Sequence, residues 1–382
     1  MAQTNKDKAV ISPRQSASII SSTIIGVGVL TLPRITAEYA KQSGWYSIIL
    51  GAVVAMIAVT IVTALSRRFP GQCIVSYSAD ILGIGKSEWV GRLFSYPFLL
   101  MFLAYWGFST VIVARMFGEV VITTVLTETP LEIIIVTMLA TAFILTIYDI
   151  EVLARVNEIL LPIIVIPVLV IAVSSYQSAK LHNLFPIRAE IDPMSFVMGI
   201  VVSAFSFLGY EVMTVFLEYG QQSPKLLRLN LMGIAIPGLI YTLIVFSGIA
   251  VFGVEELELL AWPTLELVKV TEVPGLILER LESAFLGVWV AAVFTTTGNL
   301  YYAVCLLLKE MLGLKGHRVI AAVLLPVFYW LSLLPQNIHQ LFQFQGYSGI
   351  VGGIISILIP LLLLGVAVMR KKGRGKKEAP GS

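Results

Sequence analysis

Ile24-Ile25-Gly26-Val27-Gly28-Val29-Leu30-Thr31-Leu32-Pro33 interrupts the first long apolar stretch of this 382-residue chain with two glycines and follows them with a proline. In lipid no water satisfies freed backbone groups, so a broken helix persists only where protein or a cavity takes those groups up. The run therefore predicts a first transmembrane helix made of two half-helices with a cavity at the break. Gly26 and Gly28 remove side chains and permit angles other residues avoid, letting the backbone approach a ligand closely. The half-helix beginning near Val29 would aim N–H groups and a positive dipole end at the cavity, a geometry suited to a carboxylate. Close helix packing through small residues is the competing reading of Gly-x-Gly.

Outward from that run the chain is almost all membrane. It is 57% hydrophobic and 13% charged, with mean hydropathy +0.90, against roughly half and a quarter in soluble domains. A span needs about 20 apolar residues, and stretches of that kind fall near 15–39, 45–66, 93–118, 131–148, 157–176, 195–219, 231–253, 282–308, 318–334 and 347–369. The expected organisation is an N-terminal segment 1–14, one ten-helix membrane domain 15–369 and a basic tail 370–382. The polar first fourteen residues do not read as a cleavable signal, so the first span is expected to direct insertion. Most of the 26 basic residues, among them Arg67, Arg68, Lys225, Arg228, Lys309 and the tail from Arg370 to Lys377, fall on the side of the termini. The positive-inside rule places both termini in the cytoplasm. The tail reads as a stop-transfer anchor or a lipid-headgroup contact, and the net charge of +3 reflects topology rather than nucleic-acid binding.

Enzyme signatures are missing: there is no Walker loop, no nucleophile elbow and no His/Cys cluster, so no catalytic residue, metal ligand or cofactor is expected. Cys73 and Cys305 have no paired spacing and read as passive thiols. The 69–86 loop is expected to carry a short interfacial helix. The acidic loop 254–281 is expected to hold an amphipathic helix over 262–273, stopped by Pro274-Gly275 and serving as a solvated lid or a docking surface.

The second half repeats the logic of the first. Ser206-Phe207-Leu208-Gly209-Tyr210-Glu211 places a glycine and a carboxylate inside span six, and corresponding interruptions in two five-span halves point to an inverted repeat with the ligand between them. Glu211 has three competing roles: accepting a ligand ammonium, carrying a proton, or bracing the unwound segment. Thr297 and Tyr301 share a face of span eight, where their hydroxyls either line a pocket or bond back to their own helix. Tyr105 and Ser109 do the same in span three, as pocket wall or interhelix glue. Na⁺ between first-helix carbonyls and Thr295–Thr297 is a further possibility. Arg34/Glu38 and Arg115/Glu119 read as snorkelling interfacial pairs or an outer gate. Span five contains no lysine that could carry a coupling proton.

The run Ile24–Pro33 resembles the first helix of the amino acid–polyamine–organocation (APC) superfamily. Phe69-Pro70-Gly71-Gln72, then Tyr77 and Ile81-Leu82-Gly83, with Gly209-Tyr210-Glu211, resemble the endospore germinant-receptor B subunits, the spore germination permease family. The resemblance implies an all-α integral membrane protein with a LeuT-type 5+5 inverted repeat and broken helices 1 and 6. It implies assembly with a membrane-embedded A subunit and a lipoprotein C subunit in the spore inner membrane, and a small-molecule ligand, an amino acid or in some members a sugar or nucleoside. It places the site on Gly26, Gly28, Leu208, Gly209, Thr297 and Tyr301, beside Tyr105, Ser109 and Glu211. A germinant sensor is the expected function, with a secondary amino acid transporter as the alternative.

Overall fold

The computed structural model describes residues 10–26, 28–83, 88–185, 193–271 and 281–373. Expectations for residues 1–9, Val27, Lys86, Pro274-Gly275, Glu272, Glu279 and the tail beyond residue 373 lie outside the described residues.

The chain is all-helical among these residues, in the order α1 (Pro13–Ile24), α2 (Gly28–Ala40), α3 (Gly44–Arg68), α4 (Ile74–Leu82), α5 (Glu88–Thr124), α6 (Leu131–Ile147), α7 (Ile150–Ser174), α8 (Pro193–Phe205), α9 (Met213–Phe216), α10 (Leu226–Phe252), α11 (Val254–Leu259), α12 (Pro263–Lys269), α13 (Leu281–Leu312), α14 (Arg318–Ser332) and α15 (Ile338–Met369). The first expected span is the pair α1/α2 and the sixth is α8/α9, the latter bent by 47°. By length and composition, six described segments are able to cross a membrane, or seven with that bent pair. One of the six runs through α2 and α3 together, while α6 and α14 are apolar but shorter, at 17 and 15 residues.

The two halves show no convincing sequence identity, yet their packing repeats. α1 packs on α10 as α8 packs on α3; α1 on α7 as α8 on α15; α7 on α13 as α15 on α5; α6 on α13 as α14 on α5. Each pair becomes its counterpart when every span is replaced by the one five positions along. The arrangement is that of a 5+5 repeat in which each broken helix sits against the second and fifth spans of the halves.

Local chemistry explains why these elements start, break and dock. Ser12 and Gln15 form a capping box, and Pro13 occupies the first helical position of α1. Pro33 inside α2 has no N–H for the Val29 carbonyl, and the Thr264 hydroxyl of α12 donates to it instead at 2.6 Å. Pro237 likewise frees the Gly233 carbonyl of α10, which accepts from Ser21 Oγ of α1 at 2.8 Å. In a membrane such repairs set which helix lies beside which.

α12 departs from the expected 262–273: it ends at Lys269, and Leu265, Leu267 and Val268 are buried. It packs on α2, α10 and α13, because the proline-freed carbonyl and the apolar side chains both draw it inward. A solvated lid is thereby corrected to a buried strut. The end of the bundle at Ile11 is closed by contacts between distant segments. Ile11 N–H donates to the Tyr219 carbonyl and Gln221 N–H to the Ile11 carbonyl, both at 2.9 Å. Deeper, Ser16 Oγ donates to Asn230, whose amide donates to Thr63 Oγ1.

The start of the tail caps α4, the short helix expected in the 69–86 loop. Arg370 Nη1 donates to the carbonyls of Ile81, Leu82 and Gly83, and Lys372 Nζ to those of Asp80 and Gly83. Cations suit these C-terminal carbonyls of α4. Both cysteines are buried free thiols; at Cys73, burial and then the nearby Glu218 carboxylate push the thiol up to about 11.

Candidate functional site

A cavity of about 790 Å³ lies where the two broken helices meet, within the roughly 300–1,000 Å³ typical of small-molecule sites. Its floor is made by Thr23, Ile24, Gly28, Ser206, Gly209 and Thr296. α5 supplies one wall, with Tyr105, Ser109, Ile112 and Met116 on a single helical face, and Phe205 and Leu208 supply another. α15 closes the side through glycines: a methyl group at Gly349 would lie 3.5 Å from the Phe205 ring, and one at Gly352 would run into Tyr105. The mouth bears Arg34, Glu38, His339 and Gln343.

At the first break, carbonyls released from helical pairing are taken by side chains of other helices. Thr296 Oγ1 lies 3.0 Å from the Ser22 carbonyl and 3.1 Å from that of Thr23, within donating distance of both. Tyr241 Oη donates to Ile24 at 2.6 Å and Trp289 Nε1 to Gly26 at 3.2 Å. In a continuous helix the Ile24 and Gly26 carbonyls would serve the N–H groups of Gly28 and Leu30. With those carbonyls occupied, the first turn of α2 presents donors at the positive end of its dipole.

The second break is tightened and then turned. The N–H groups of Phe207 and Leu208 donate to Ala204 and Phe205, each three residues back. Gly209 follows at φ +132°, a conformation open to glycine, with Thr23 packed where a Cβ would stand. Its N–H donates to Glu211 Oε2 at 2.7 Å. Across the cavity, a methyl group at Gly28 would lie 3.9 Å from the Ser206 carbonyl oxygen and 3.4 Å from Tyr241 Oη. A donor-rich helix start thus faces a carbonyl-bearing turn.

The cavity brings together Gly28, Tyr105, Ser109, Leu208 and Gly209; Ser109 Oγ also lies 3.0 Å from Ser348 Oγ. Gly26, Glu211, Thr297 and Tyr301 are outside its lining. Gly26 is a close-approach position, since a methyl group there would overlap the Thr296 side chain. Thr297 Oγ1 donates to the Val293 carbonyl and Tyr301 Oη to Ala321 at 2.6 Å, so both hydroxyls serve packing. The neighbours one position earlier, Thr296 and Leu300, line the cavity in their place.

Glu211 is fully buried in span six, beside Tyr105 and Trp106, and forms no ion pair among the described residues. Its bond to Gly209 makes it a brace. Glu211→Gln is expected to keep ligand-dependent stabilisation, because the amide oxygen still accepts, whereas Glu211→Leu should cost about 1–3 kcal/mol by stranding that N–H. Thermal melts of the two variants test this; loss of the ligand response in Glu211→Gln alone would argue for a proton carrier.

Thr23, Thr31 and Leu300 line the cavity beyond the residues singled out from sequence, and Thr296, there read only as part of a Na⁺ possibility, lines it too. In span five Asn157 of α7 is buried, and its amide pairs reciprocally with Asn299 of α13 at 2.9 and 2.8 Å; Asn299 also donates to Thr23. Arg34 lies with its guanidinium 3.9 Å above the Phe342 ring, while Arg115 and Glu119 pair at 2.7 Å with little exposure. Arg115 is thus buried, not snorkelling, and Arg34 bridges α2 to α15 at the mouth.

The fold is shared with solved transporters. The chain superposes on MhsT in complex with L-phenylalanine with a TM-score of 0.67 at 12% identity, covering 93% of this chain and 88% of that one. It superposes on the nucleobase-cation-symport-1 family transporter Mhp1, in a closed conformation with bromovinylhydantoin bound, with a TM-score of 0.63 at 14% identity, covering 95% and 94%. The fold is therefore the LeuT-type one, in an integral multi-pass membrane protein. In sequence, the chain is 31% identical over 364 residues to spore germination protein YndE of Bacillus subtilis (strain 168), covering 95% of this chain and 98% of that protein. It is 27% identical to spore germination protein A2 of the same organism, covering 94% and 95%. The family model described as "Spore germination protein" matches residues 10–341. With the family model matched over most of the chain and a relative 31% identical over 95% of it, the chain belongs to the spore germination protein family.

Proposed function

We propose that the protein is the membrane-embedded sensor subunit of a spore germinant receptor and that it binds a small free amino acid between the two broken helices. The carrying observation is the pairing of the α2 first turn, whose helical carbonyl partners are taken by Tyr241 and Trp289, with the Ser206 carbonyl across the cavity. A zwitterion fits that pairing, its carboxylate on the N–H groups and its ammonium on the carbonyl side. Among the described residues the ionisable side chains of the lining, tyrosines aside, are Arg34, Glu38 and His339 at the mouth. This favours a ligand with an uncharged side chain.

The receptor sits in the spore inner membrane with A and C subunits, both termini in the cytoplasm and the cavity mouth on the opposite face. The basic residues of the termini-bearing end support that orientation. Ligand binding acts through its differential affinity for open and closed arrangements of the bundle, and the partner subunits receive the shift. The test is thermal stability of the purified protein against a panel of free amino acids, since a ligand that binds only the folded state stabilises it by mass action. A concentration-dependent rise with a neutral amino acid is expected; a flat response across the panel overturns the reading.

Secondary transport is the second reading, favoured by the oxygen cluster under the first break, where Thr295 and Thr296 hydroxyls meet the Ser22 and Thr23 carbonyls. Na⁺ held there would couple binding to a gradient. The sensor reading expects the same thermal shift when choline replaces Na⁺, and no accumulation of labelled amino acid in proteoliposomes. Na⁺-dependent binding with uptake would establish transport instead.

A further inference from the structure

Thr31 breaks a rule that the rest of the bundle obeys. Every other buried threonine among the described residues donates its hydroxyl to a carbonyl oxygen: Thr23 to Ile19, Thr36 to Leu32, Thr63 to Val59, Thr110 to Trp106, and so on through Thr297 to Val293. That habit is general for threonine in membrane helices, where the alternative is an unsatisfied hydroxyl. Thr31 Oγ1 is fully buried and has no hydrogen-bond partner, yet Thr31 lines the cavity. It sits in the first turn of the thirteen-residue α2, three residues after Gly28 and therefore on the same face.

We propose that Thr31 is a specificity-determining residue: its hydroxyl donates to the carboxylate of the bound amino acid and selects ligands with a free carboxylate over their carboxamides. The inference rests on the amino-acid reading of the cavity. A hydroxyl can donate or accept, and its surroundings decide which. The first-turn N–H groups and the positive dipole end on this face attract an anion and repel an ammonium, so the carboxylate is the group that arrives beside Thr31. An unpartnered buried hydroxyl is costly before binding and satisfied after it. A carboxamide would lose the charge-assisted bond and turn one N–H-bearing group toward other N–H donors.

The test uses the full-length purified protein with glycine, L-alanine, L-valine, L-leucine and L-phenylalanine, each as free acid and as carboxamide, read by thermal shift and calorimetry. Wild type is expected to bind at least one free acid and to bind its carboxamide at least about tenfold more weakly, as loss of a hydrogen bond to a charged group predicts. Thr31→Val should weaken the acid by about tenfold to a hundredfold and leave the carboxamide nearly unchanged, while Thr31→Ser restores the preference. Without ligand, Thr31→Val should melt at or above the wild-type temperature, because it removes an unsatisfied hydroxyl. A structural role predicts the opposite, a lowered melting temperature with unaltered selectivity. The inference alone falls if acids bind wild type and Thr31→Val equally, or if the variant weakens acid and carboxamide alike. If no acid binds wild type, the amino-acid reading falls and takes this inference with it.

Discussion

A Gly28→Trp protein is expected to reach the membrane, melt close to the wild-type temperature and show no amino-acid-dependent stabilisation. The expectation follows from where a side chain at Gly28 would go. A methyl group there meets Tyr241 Oη at 3.4 Å and the Ser206 carbonyl at 3.9 Å, ordinary contacts, and beyond them lies the cavity. An indole has room to enter, but it fills the gap between the α2 donors and the Ser206 turn where the ligand would bridge them. Gly28→Ala should be milder, with folding intact and affinity reduced. The readout is a thermal-shift titration of each variant with the amino acid that stabilises wild type. Wild-type affinity in Gly28→Trp would move the site away from the break.

Two residues earlier the same substitution should have the opposite phenotype. Gly26→Ala is expected to cost about 3 kcal/mol or more, at the upper end of overpacking penalties, and to reduce folded yield whether or not ligand is present. The added methyl would stand 2.8 Å from Thr296 Cβ, a carbon fixed to the α13 backbone. Relief requires either rotating Thr296, which abandons the Ser22 and Thr23 carbonyls, or separating α1 from α13. Membrane yield and the unliganded melting temperature measure this. A stable Gly26→Ala protein with lost binding would mean that Gly26, too, faces the ligand.

These two glycines mark the limit of what the sequence discloses. A Gly-x-Gly in a first span reports that the helix breaks, because breaking is a property of local backbone chemistry. Which glycine faces ligand and which faces a neighbouring helix depends on how α1 and α2 are rotated. Helix rotation is set by tertiary contacts such as Trp289 to Gly26 and Tyr241 to Ile24. The same limit appears on α13. Thr297 and Tyr301 have the right chemistry and spacing, but one residue is about 100° around a helix, and Thr296 and Leu300 face the cavity. In span three Tyr105 and Ser109 share a cavity-lining face with Ile112 and Met116, while Ser109 also meets Ser348 of α15, so each of the two readings of that pair has an observation behind it.

The internal repeat was legible in hydropathy and break position, though not in residue identity, because it is conserved in the packing of helix on helix rather than in side chains. α12 was misplaced for a related reason. Its charges read as solvated, while the feature that pulls it inward, the carbonyl orphaned by Pro33, belongs to a helix more than two hundred residues away. For Glu211 the sequence left three roles open, and the bond from the Gly209 N–H to its carboxylate, visible only in the structure, is the observation that favours the brace.

The backbone bridge between Ile11 and residues 219–221 has a mechanical meaning. It joins the chain just before the first broken helix to the chain just after the second. The two breaks face each other across the cavity, so together with the bridge they form a closed linkage: Ile11, α1, first break, cavity, second break, α9, Tyr219 and back to Ile11. In a closed linkage, drawing one pair of ends together must load the other joint. A ligand a few ångströms long, spanning Gly28 and Ser206, would therefore deliver its pull at Ile11, on the far face of the bundle, without any helix needing to unfold or slide.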